Sequence, residues 1–311
     1  MPVRLKRWRR FAAMHKRWHP ALACLAFAVA QVPAAATADA LDGARHITDL
    51  VYATVNGKNL ALDLHLPPGV RHPSLLVFVH GGAWTTGSKT QYPTFLLERG
   101  FAVASLDFRS SNEAPFPADL FDIKAGIRYL RAKASYYGYR SNRIAIVGAS
   151  SGGHLAELVG VTNGEAALEG TEGEYRSESS AVQAIVSYFG ASDLTTILAQ
   201  STPAGLAVRE PALRRLLGAS PDQVPALAKL ASPIFHVNRN APPILLLHGD
   251  QDTQMPLNQV YEMQWAYEQA GRHAEVLILH GVDHDAGPFF RDAPVERVAQ
   301  FLKHNISRPF E

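Results

Sequence analysis

The chain has 311 residues, of which 47% are hydrophobic and 19% charged, values typical of a globular protein with a sizeable core. No apolar run is long enough to predict a membrane-spanning helix. The formal net charge is +2, but seven cations lie before residue 18, and removing them leaves −5. The basic balance therefore belongs to the N-terminal segment and gives no argument for a nucleic-acid partner.

Residues 1–38 have the three parts of a secretory signal peptide. A basic start is followed by the apolar stretch ALACLAFAVAQVPAAA and by small residues that end at Ala38. We predict cleavage near Ala38 or Ala40 and export of the mature protein to the periplasm or the medium. Cys24, the only cysteine, lies in the removed segment, so disulfides and thiolate chemistry are excluded for the mature chain.

Residues 39–311 contain no internal repeat and fit a single domain. Alternating apolar residues on both sides of Asn56-Gly57 predict a β-hairpin with a two-residue turn. Short apolar runs then predict strands that are buried on both faces of a mainly parallel sheet. These runs are LLVFV at 75–79, FAVASL at 101–106, IAIV at 144–147, ILLL at 244–247 and VLIL at 276–279.

Helical periodicity separates these runs. A helix is predicted from Pro117 onward, and a last one over about 292–304. The same spacing predicts a third helix that ends near Gly271. Its apolar positions are Leu257, Val260, Tyr261 and Trp265. Strands that alternate with helices predict an α/β fold with helices on both faces of the sheet, and with the ligand site beyond the carboxyl ends of the strands.

Two segments are longer than simple connections. Residues 162–180 are polar and predict a surface loop. Residues 201–235 contain five prolines and form an insertion before the strand at 244–247. An insertion at this point would overhang the strand ends, so we predict a small, stiff cap.

The segment GASSGG at 148–153 directly follows a predicted strand. The pattern G-x-S-x-G fits Gly148, Ser150 and Gly152, whereas a frame centred on Ser151 would need glycine at position 149. This pattern describes a sharp strand-to-helix turn that projects the central serine into solvent. A Ser-Gly helix cap would explain the serines but not a glycine on each side at this spacing. Ser150 is therefore the candidate nucleophile, and Ser151 supplies its backbone N–H.

A serine hydroxyl reacts at neutral pH only with an imidazole base, which a carboxylate in turn orients. Two later turns at the same predicted sheet edge supply such groups. HGDQDTQMP offers Asp250 and Asp252, and HGVDHDAG offers His280 and His284. The chain order Ser, Asp, His matches a known arrangement for this type of fold. Spacing alone leaves both aspartates and both histidines open.

The glycine-rich segment HGGAWTTG, the serine turn, ASPIFHV and LLLHGDQDTQMP together resemble the α/β-hydrolase superfamily over residues 50–305. Within it, the chain is similar to carboxylesterases with an HGG[GA]W motif, near the hormone-sensitive-lipase-like and bacterial feruloyl- or acetyl-esterase-like groups. The resemblance implies an α/β-hydrolase fold, no cofactor, Asp252 as the acid and His284 as the base. It further implies backbone donors for an oxyanion, and Trp84 as a candidate pocket residue, with an ordinary packed tryptophan as the alternative. The implied donors are Gly81, Gly82 and Ser151.

Two positions depart from the pattern: Ser151 stands where relatives commonly have alanine, and Ala83 where glycine is commoner. His80 is expected to brace the oxyanion loop, and His154 is expected to be structural, as are Arg109 and Asp122. No histidine spacing typical of a metal site is present.

The resulting prediction is an exported serine carboxylesterase for short-acyl or aryl esters, feruloyl and acetyl esters on polysaccharide included. An arylformamidase or a peptidase-like amide hydrolase is the enzymatic alternative. A non-catalytic binding protein of the same fold is the other alternative, although such proteins usually lose a triad residue. The sequence gives no indication of the oligomeric state.

Overall fold

A computed structural model describes residues 42–307. The predicted signal peptide over residues 1–38 lies outside these residues and stays a prediction. Among residues 42–307, no helix has both the length and the apolar character needed to cross a membrane.

One eight-stranded sheet organises the structure, in the order β1-β2-β4-β3-β5-β6-β7-β8. The strands are β1 (Arg45–Val55), β2 (Lys58–Leu66), β3 (Ser74–Val79), β4 (Ala102–Leu106), β5 (Arg140–Ala149), β6 (Ala184–Tyr188), β7 (Ile244–Gly249) and β8 (Ala274–Leu279). β2 pairs antiparallel with β1 and β4, and every other pairing is parallel. The carboxyl ends of β3 and β5 to β8 therefore lie along one edge of the sheet.

The predicted N-terminal hairpin is confirmed, because β1 and β2 pair across Asn56-Gly57. Both turn residues have positive φ, 50° and 81°, as a two-residue hairpin turn of the I′ type requires. Asparagine and glycine tolerate this backbone conformation better than other residues, so the turn sets the register of the pair.

Eight α-helices lie within residues 42–307. They are α1 (Thr94–Glu98), α2 (Ala118–Tyr137), α3 (Ser151–Val161), α4 (Ile197–Gln200), α5 (Pro203–Leu217), α6 (Pro225–Leu230), α7 (Asn258–Gln269) and α8 (Asp292–Leu302). The helices predicted after Pro117 and over 292–304 correspond to α2 and α8. The predicted insertion over 201–235 contains α5 and α6, and its role as a cap stays a prediction.

The central strands of the sheet are buried on both faces, as their apolar runs predict. The prediction is wrong for the run at 276–279, because β8 is an edge strand and is only half-buried beyond Ala274. Along β3, Leu75 and Val77 belong to one hydrophobic cluster, whereas Leu76 and Phe78 belong to a second cluster on the opposite face. The first cluster includes residues of α2, α3 and α7, and the second includes residues of α1 and α8. A sheet packed on both sides holds the loops at its carboxyl edge in fixed positions.

Helix α7 forms where the sequence predicts it, but its apolar residues do not all face the core. Val260 is buried, whereas Tyr261 and Trp265 are 48% and 59% exposed. The buried face instead includes the polar side chain of Gln259, whose Oε1 accepts hydrogen bonds from the backbone N–H of Ser192 at 2.8 Å and of Asp193 at 2.8 Å.

A carboxyl group is buried beneath the sheet edge. Glu157 of α3 accepts hydrogen bonds from Ser187 Oγ at 2.6 Å and from Ser192 Oγ at 2.7 Å. Burial raises the pKa of Glu157 to about 8, although both hydroxyls favour the ionised form. The unfolded chain has a pKa near 4.5 at this group, so the folded state binds the proton more tightly. The resulting stabilisation is complete below that unfolded value and is lost as the pH rises through the folded pKa.

We therefore expect the wild type to lose unfolding free energy relative to Glu157→Gln as the pH rises from 5 to 9. The difference in unfolding free energy should change by up to a few kcal/mol, because one pKa unit corresponds to about 1.4 kcal/mol. Urea unfolding at several pH values measures it. The exposed Glu268 provides the control Glu268→Gln, which should follow the wild type. A pH-independent difference for Glu157→Gln would contradict a titrating Glu157.

Candidate active site

Ser150 lies between β5 and α3 in a strained backbone conformation, with φ 57° and ψ −123°. The turn is crowded on both sides. A Cβ on Gly148 would overlap the carbonyl of Gly152, and a Cβ on Gly152 would overlap the carbonyls of Val79 and His80. Glycine is thus required at both positions of the G-x-S-x-G pattern. Strain of this kind costs on the order of 1–3 kcal/mol and is concentrated at functional sites.

The structure brings Ser150, His284 and Asp252 together at the carboxyl edge of the sheet. Asp252 Oδ2 lies 2.7 Å from His284 Nδ1, and a carboxylate can only accept, so Nδ1 carries the proton and donates. His284 Nε2 is then free to accept from the Ser150 hydroxyl, whose Oγ lies 2.9 Å away. The ring of Phe189 packs edge-on against the imidazole at 4.6 Å between centroids. This geometry is the one that proton transfer from a serine to a histidine would require.

The Asp252 carboxylate is fully buried and fully bonded. Its Oδ1 accepts from the backbone N–H of Gln254 at 2.9 Å and of Met255 at 2.7 Å. Burial alone would raise the pKa of Asp252, but hydrogen bonds from His248 and His284 outweigh it and hold the pKa well below its usual range. The carboxylate is therefore ionised in the folded protein at neutral pH.

Sequence reasoning missed two side chains that position the acid and the base. His248 Nε2 donates to the carbonyl of Met255 at 3.0 Å and lies 3.3 Å from Asp252 Oδ2. Asp283 Oδ1 accepts from the backbone N–H of Thr253 at 2.8 Å and of His284 at 2.7 Å. It thereby connects the turn after β7 that carries Asp252, here called the acid turn, to the turn after β8 that carries His284, here called the base turn. Both residues lie inside the segments quoted above, but neither segment indicates which of its side chains contact the turns of Asp252 and His284.

The alternative pair, Asp250 and His280, forms a separate contact. His280 Nδ1 donates to Asp250 Oδ2 at 2.7 Å, and the backbone N–H of Gly281 donates to Asp250 Oδ1 at 2.7 Å. The His280 side chain is 87% exposed. Among the hydrogen bonds of residues 42–307, none joins this pair to Ser150 or His284, so it braces the turns after β7 and β8. Over the same residues, no group of three or more His, Cys, Asp or Glu side chains is placed to hold a metal ion.

The candidate oxyanion loop follows β3 and passes beside the serine turn. A Cβ on Gly81 would lie 2.9 Å from the carbonyl oxygen of Ala149 and 3.3 Å from Ser150 Cβ. Among the turn, loop and cap hydrogen bonds of residues 42–307, none uses the N–H of Gly81, Gly82 or Ser151 as donor. These three N–H groups are therefore the candidate donors to a ligand oxygen.

His80 fixes this loop from behind. It is buried and stacks on Phe108 at 4.5 Å between centroids. Its Nδ1 donates to the carbonyl of Gly81 at 2.8 Å. Because the carbonyl and the following N–H of a trans peptide point in opposite directions, this bond also sets the direction of the Gly82 N–H. Burial lowers the pKa of His80, although the hydrogen bond to Gly81 acts in the opposite direction.

Trp84 lies beneath the loop and is only 2% exposed, a placement that favours the packed alternative over a pocket wall. Its Nε1 donates to His154 Nδ1 at 3.0 Å, and His154 Nε2 donates to the carbonyl of Ala231 in the insertion at 2.7 Å. Ala83 and Trp84 both have positive φ, 52° and 59°. The alanine that replaces the commoner glycine therefore adopts the left-handed conformation that glycine favours.

Arg209 of α5 was not predicted and links two of the site's loops. Its buried guanidinium lies 5.7 Å from the centroid of the Trp84 ring, and Nη2 donates to the carbonyl of Gln254 at 2.8 Å. Burial lowers its pKa to about 10, although the charge of Asp252 acts in the opposite direction. No local motif marks Arg209, because its partners come from distant parts of the chain.

An eight-stranded, mainly parallel sheet with a strained serine after β5, an acid after β7 and a histidine after β8 defines the α/β-hydrolase fold, as the sequence predicted. Residues 62–266 match the BD-FAE family. This match covers more than half of the chain, and the chain belongs to the BD-FAE family.

Known relatives and solved structures agree with this assignment. The chain is 33% identical to esterase LipQ of Mycobacterium tuberculosis over 83% of its own length and 62% of that of LipQ. It thus spans less than two thirds of this relative. A truncated carbohydrate esterase from gut microbiota is 32% identical, with a TM-score of 0.76 over 85% of this chain and 97% of that one. A bifunctional GH43-CE protein of Bacteroides eggerthii is 34% identical, with a TM-score of 0.75 over 84% of this chain and 35% of that protein.

Proposed function

We propose that the protein is a serine carboxylesterase that acts through Ser150, His284 and Asp252. The observation that carries this proposal is the continuous hydrogen-bond chain from Ser150 Oγ to His284, at 2.9 Å, and from His284 to Asp252, at 2.7 Å. Membership of the BD-FAE family and similarity to proteins named as esterases support ester bonds as the target.

The proposed reaction has two halves. His284 Nε2 takes the Ser150 proton while Oγ attacks the ester carbonyl, and Asp252 stabilises the resulting imidazolium. His284 then protonates the leaving alcohol, and an acyl group remains on Ser150. Water, deprotonated by the same imidazole, attacks this acyl-enzyme and releases the acid. The mechanism requires no cofactor.

The N–H groups of Gly81, Gly82 and Ser151 are the proposed donors to the oxyanion of both tetrahedral intermediates. Losing one such donor typically costs about 3 kcal/mol in the transition state. Because all three donors are backbone groups, side-chain substitution removes none of them directly. The Ser151 hydroxyl is not required, since the donor at that position is the peptide N–H.

For the substrate, we propose short-acyl or aryl esters, including feruloyl and acetyl esters carried by plant polysaccharide. The support is similarity, at 32% and 34% identity, to a carbohydrate esterase and to a bifunctional GH43-CE protein. We also propose export by the segment at residues 1–38. N-terminal sequencing of protein recovered from the periplasm or the medium should find a start near residue 39.

A substrate panel on the mature protein tests the function. It contains p-nitrophenyl esters from acetyl to decanoyl, methyl ferulate, N-formylkynurenine and a dipeptide amide at equal concentration. We expect the highest kcat/KM with acetyl, butyryl or feruloyl esters, together with labelling by a fluorophosphonate probe. Preference for N-formylkynurenine or the amide would favour the amide-hydrolase alternative, and an unlabelled, inactive protein would favour the binding protein.

A further inference from the structure

The outer face of α7 carries two aromatic side chains that the fold leaves in solvent. Tyr261 and Trp265 are 48% and 59% exposed. They lie four residues apart, so their side chains are neighbours on one face of the helix. Within residues 42–307, neither ring stacks on another aromatic ring. Large exposed apolar side chains grouped in this way mark binding surfaces more often than isolated ones do.

These rings line a shallow depression of about 240 Å³, open to solvent, together with Asn258 and Glu262. The four residues follow an i, i+3, i+4, i+7 pattern and form one stripe along α7, which we call the α7 platform. Its lining combines two π faces with an amide and a carboxylate. The depression therefore offers apolar stacking surfaces and hydrogen-bonding groups side by side.

The carboxylate of the α7 platform is held in place by its neighbours. Glu262 Oε1 accepts from Gln200 Nε2 at 2.6 Å, and Glu262 Oε2 accepts from Gln259 Nε2 at 3.0 Å. Gln259 is itself buried and bonded to backbone N–H groups. The Thr196 hydroxyl also lies 3.2 Å from Oε1 and 3.1 Å from Oε2 and donates its one proton to this carboxylate. Three donors occupy three of the roughly four lone-pair sites of a carboxylate, so one site of Glu262 is left for a ligand hydroxyl.

We propose that the α7 platform is a second, non-catalytic binding site for a polysaccharide chain. A pyranose ring has one face of C–H groups and an edge of hydroxyls. The C–H face suits the electron-rich faces of Tyr261 and Trp265, and the hydroxyls suit Glu262 and Asn258. The choice of a polysaccharide also rests on the proposed function, in which the ester is carried by such a chain.

The size of the α7 platform argues against a protein partner. Stable protein interfaces cover roughly 800 Å² per partner with 20–30 residues on each side. Four residues on one helix face are far fewer, but they match one or two sugar rings. Helix α7 also follows the acid turn directly in the chain, so a polymer held there stays attached to the catalytic domain between turnovers.

Binding to insoluble arabinoxylan tests this site in the Ser150→Ala background, which leaves the polymer intact. We expect Tyr261→Ala/Trp265→Ala to lower the fraction bound at least fivefold. The control is Tyr136→Ala, which removes a 77% exposed aromatic side chain elsewhere and should bind as the parent does. Trp265→Phe should keep most of the binding, whereas Trp265→Leu should lose it, because leucine is apolar but has no π face.

The same substitutions in the Ser150 protein separate this site from catalysis. Tyr261→Ala/Trp265→Ala should hydrolyse soluble p-nitrophenyl acetate within twofold of the wild type and act more slowly on insoluble feruloylated arabinoxylan. If all variants bind insoluble arabinoxylan equally, or if the parent does not bind it, the α7 platform is not a polysaccharide-binding site. A shift of the double variant to a smaller species in gel filtration would identify a contact between copies instead. If the wild-type protein does not hydrolyse p-nitrophenyl acetate, the proposed function is rejected, whereas the result of the binding experiment still applies.

Discussion

Replacing Ser150 by alanine is expected to lower kcat for p-nitrophenyl acetate by on the order of a million-fold. Within residues 42–307, the Ser150 hydroxyl is the only one that forms a hydrogen bond with His284 Nε2, at 2.9 Å, and it is the atom proposed to become acylated. Without it, catalysis is limited to attack by water within the remaining binding site. Burst kinetics with p-nitrophenyl acetate should disappear, because no acyl-enzyme can form, and fluorophosphonate labelling should be lost with it.

The neighbouring serine provides the matched control. Ser151→Ala keeps the backbone N–H and should keep kcat within about tenfold of the wild type, since a side-chain hydroxyl is not needed at this position. The circular dichroism spectrum of Ser150→Ala should match that of the wild type, and its Tm should lie within a few degrees. The reason is that alanine at position 150 has to adopt the same strained backbone conformation as serine does. Retained turnover in Ser150→Ala, or loss in Ser151→Ala alone, would contradict Ser150 as the nucleophile.

The serine could be located from the sequence because its turn depends on local geometry. Gly148 is required by the carbonyl of Gly152 within the turn itself, and Gly152 is required by the carbonyls of Val79 and His80, which pass beside the turn at the end of β3. Both required glycines fall within the five residues of the serine turn and leave a fixed pattern in the chain. The hairpin at Asn56-Gly57 is predictable for the same reason. In both cases the residues that the backbone conformation requires are the same residues that can be recognised in the sequence.

The choice between Asp250 and Asp252 could not be made from spacing. Both aspartates follow β7 within one turn, and a resemblance to known enzymes was needed to separate them. The structure gives the physical reason: the Asp252 side chain turns inward to two backbone N–H groups and His248, whereas Asp250 turns to the exposed His280. Which way a side chain turns depends on contacts that the local sequence does not encode.

Helix α7 and Arg209 show the same limit. Helical spacing identifies residues that share a face, but it does not identify the face that meets the core. Gln259 is buried because it satisfies the N–H groups of Ser192 and Asp193, and this rotates Trp265 into solvent. Arg209 is buried because the Trp84 ring and the Gln254 carbonyl receive its guanidinium, and both come from distant segments.

Asp252→Asn is expected to lower kcat at neutral pH by about ten-thousand-fold. The asparagine oxygen can replace Oδ1 in the bonds to the N–H groups of Gln254 and Met255, so the turn should keep its shape. Its amide nitrogen would then face His284 Nδ1 as a donor. The imidazole proton would move to Nε2, where it would face Ser150 Oγ and prevent proton uptake. The loss should appear in kcat with little change in KM.

Asp250→Asn is the matched control, because it removes a carboxylate from the same turn and disturbs contacts with His280, Gly281 and Gln251 rather than with His284. We expect its kcat to stay within about threefold of the wild type.

The two variants should also differ in their stability at acidic pH. A lowered folded pKa means that ionised Asp252 stabilises the fold above its ordinary value near 3.8, and that this contribution is lost as the pH falls through the folded pKa. The free energy of unfolding of the wild type should therefore exceed that of Asp252→Asn by less and less as the pH falls below about 4. Urea unfolding at several acidic pH values measures this difference. Equal losses of kcat in both variants would mean that the acid turn acts through its shape rather than through the charge of Asp252.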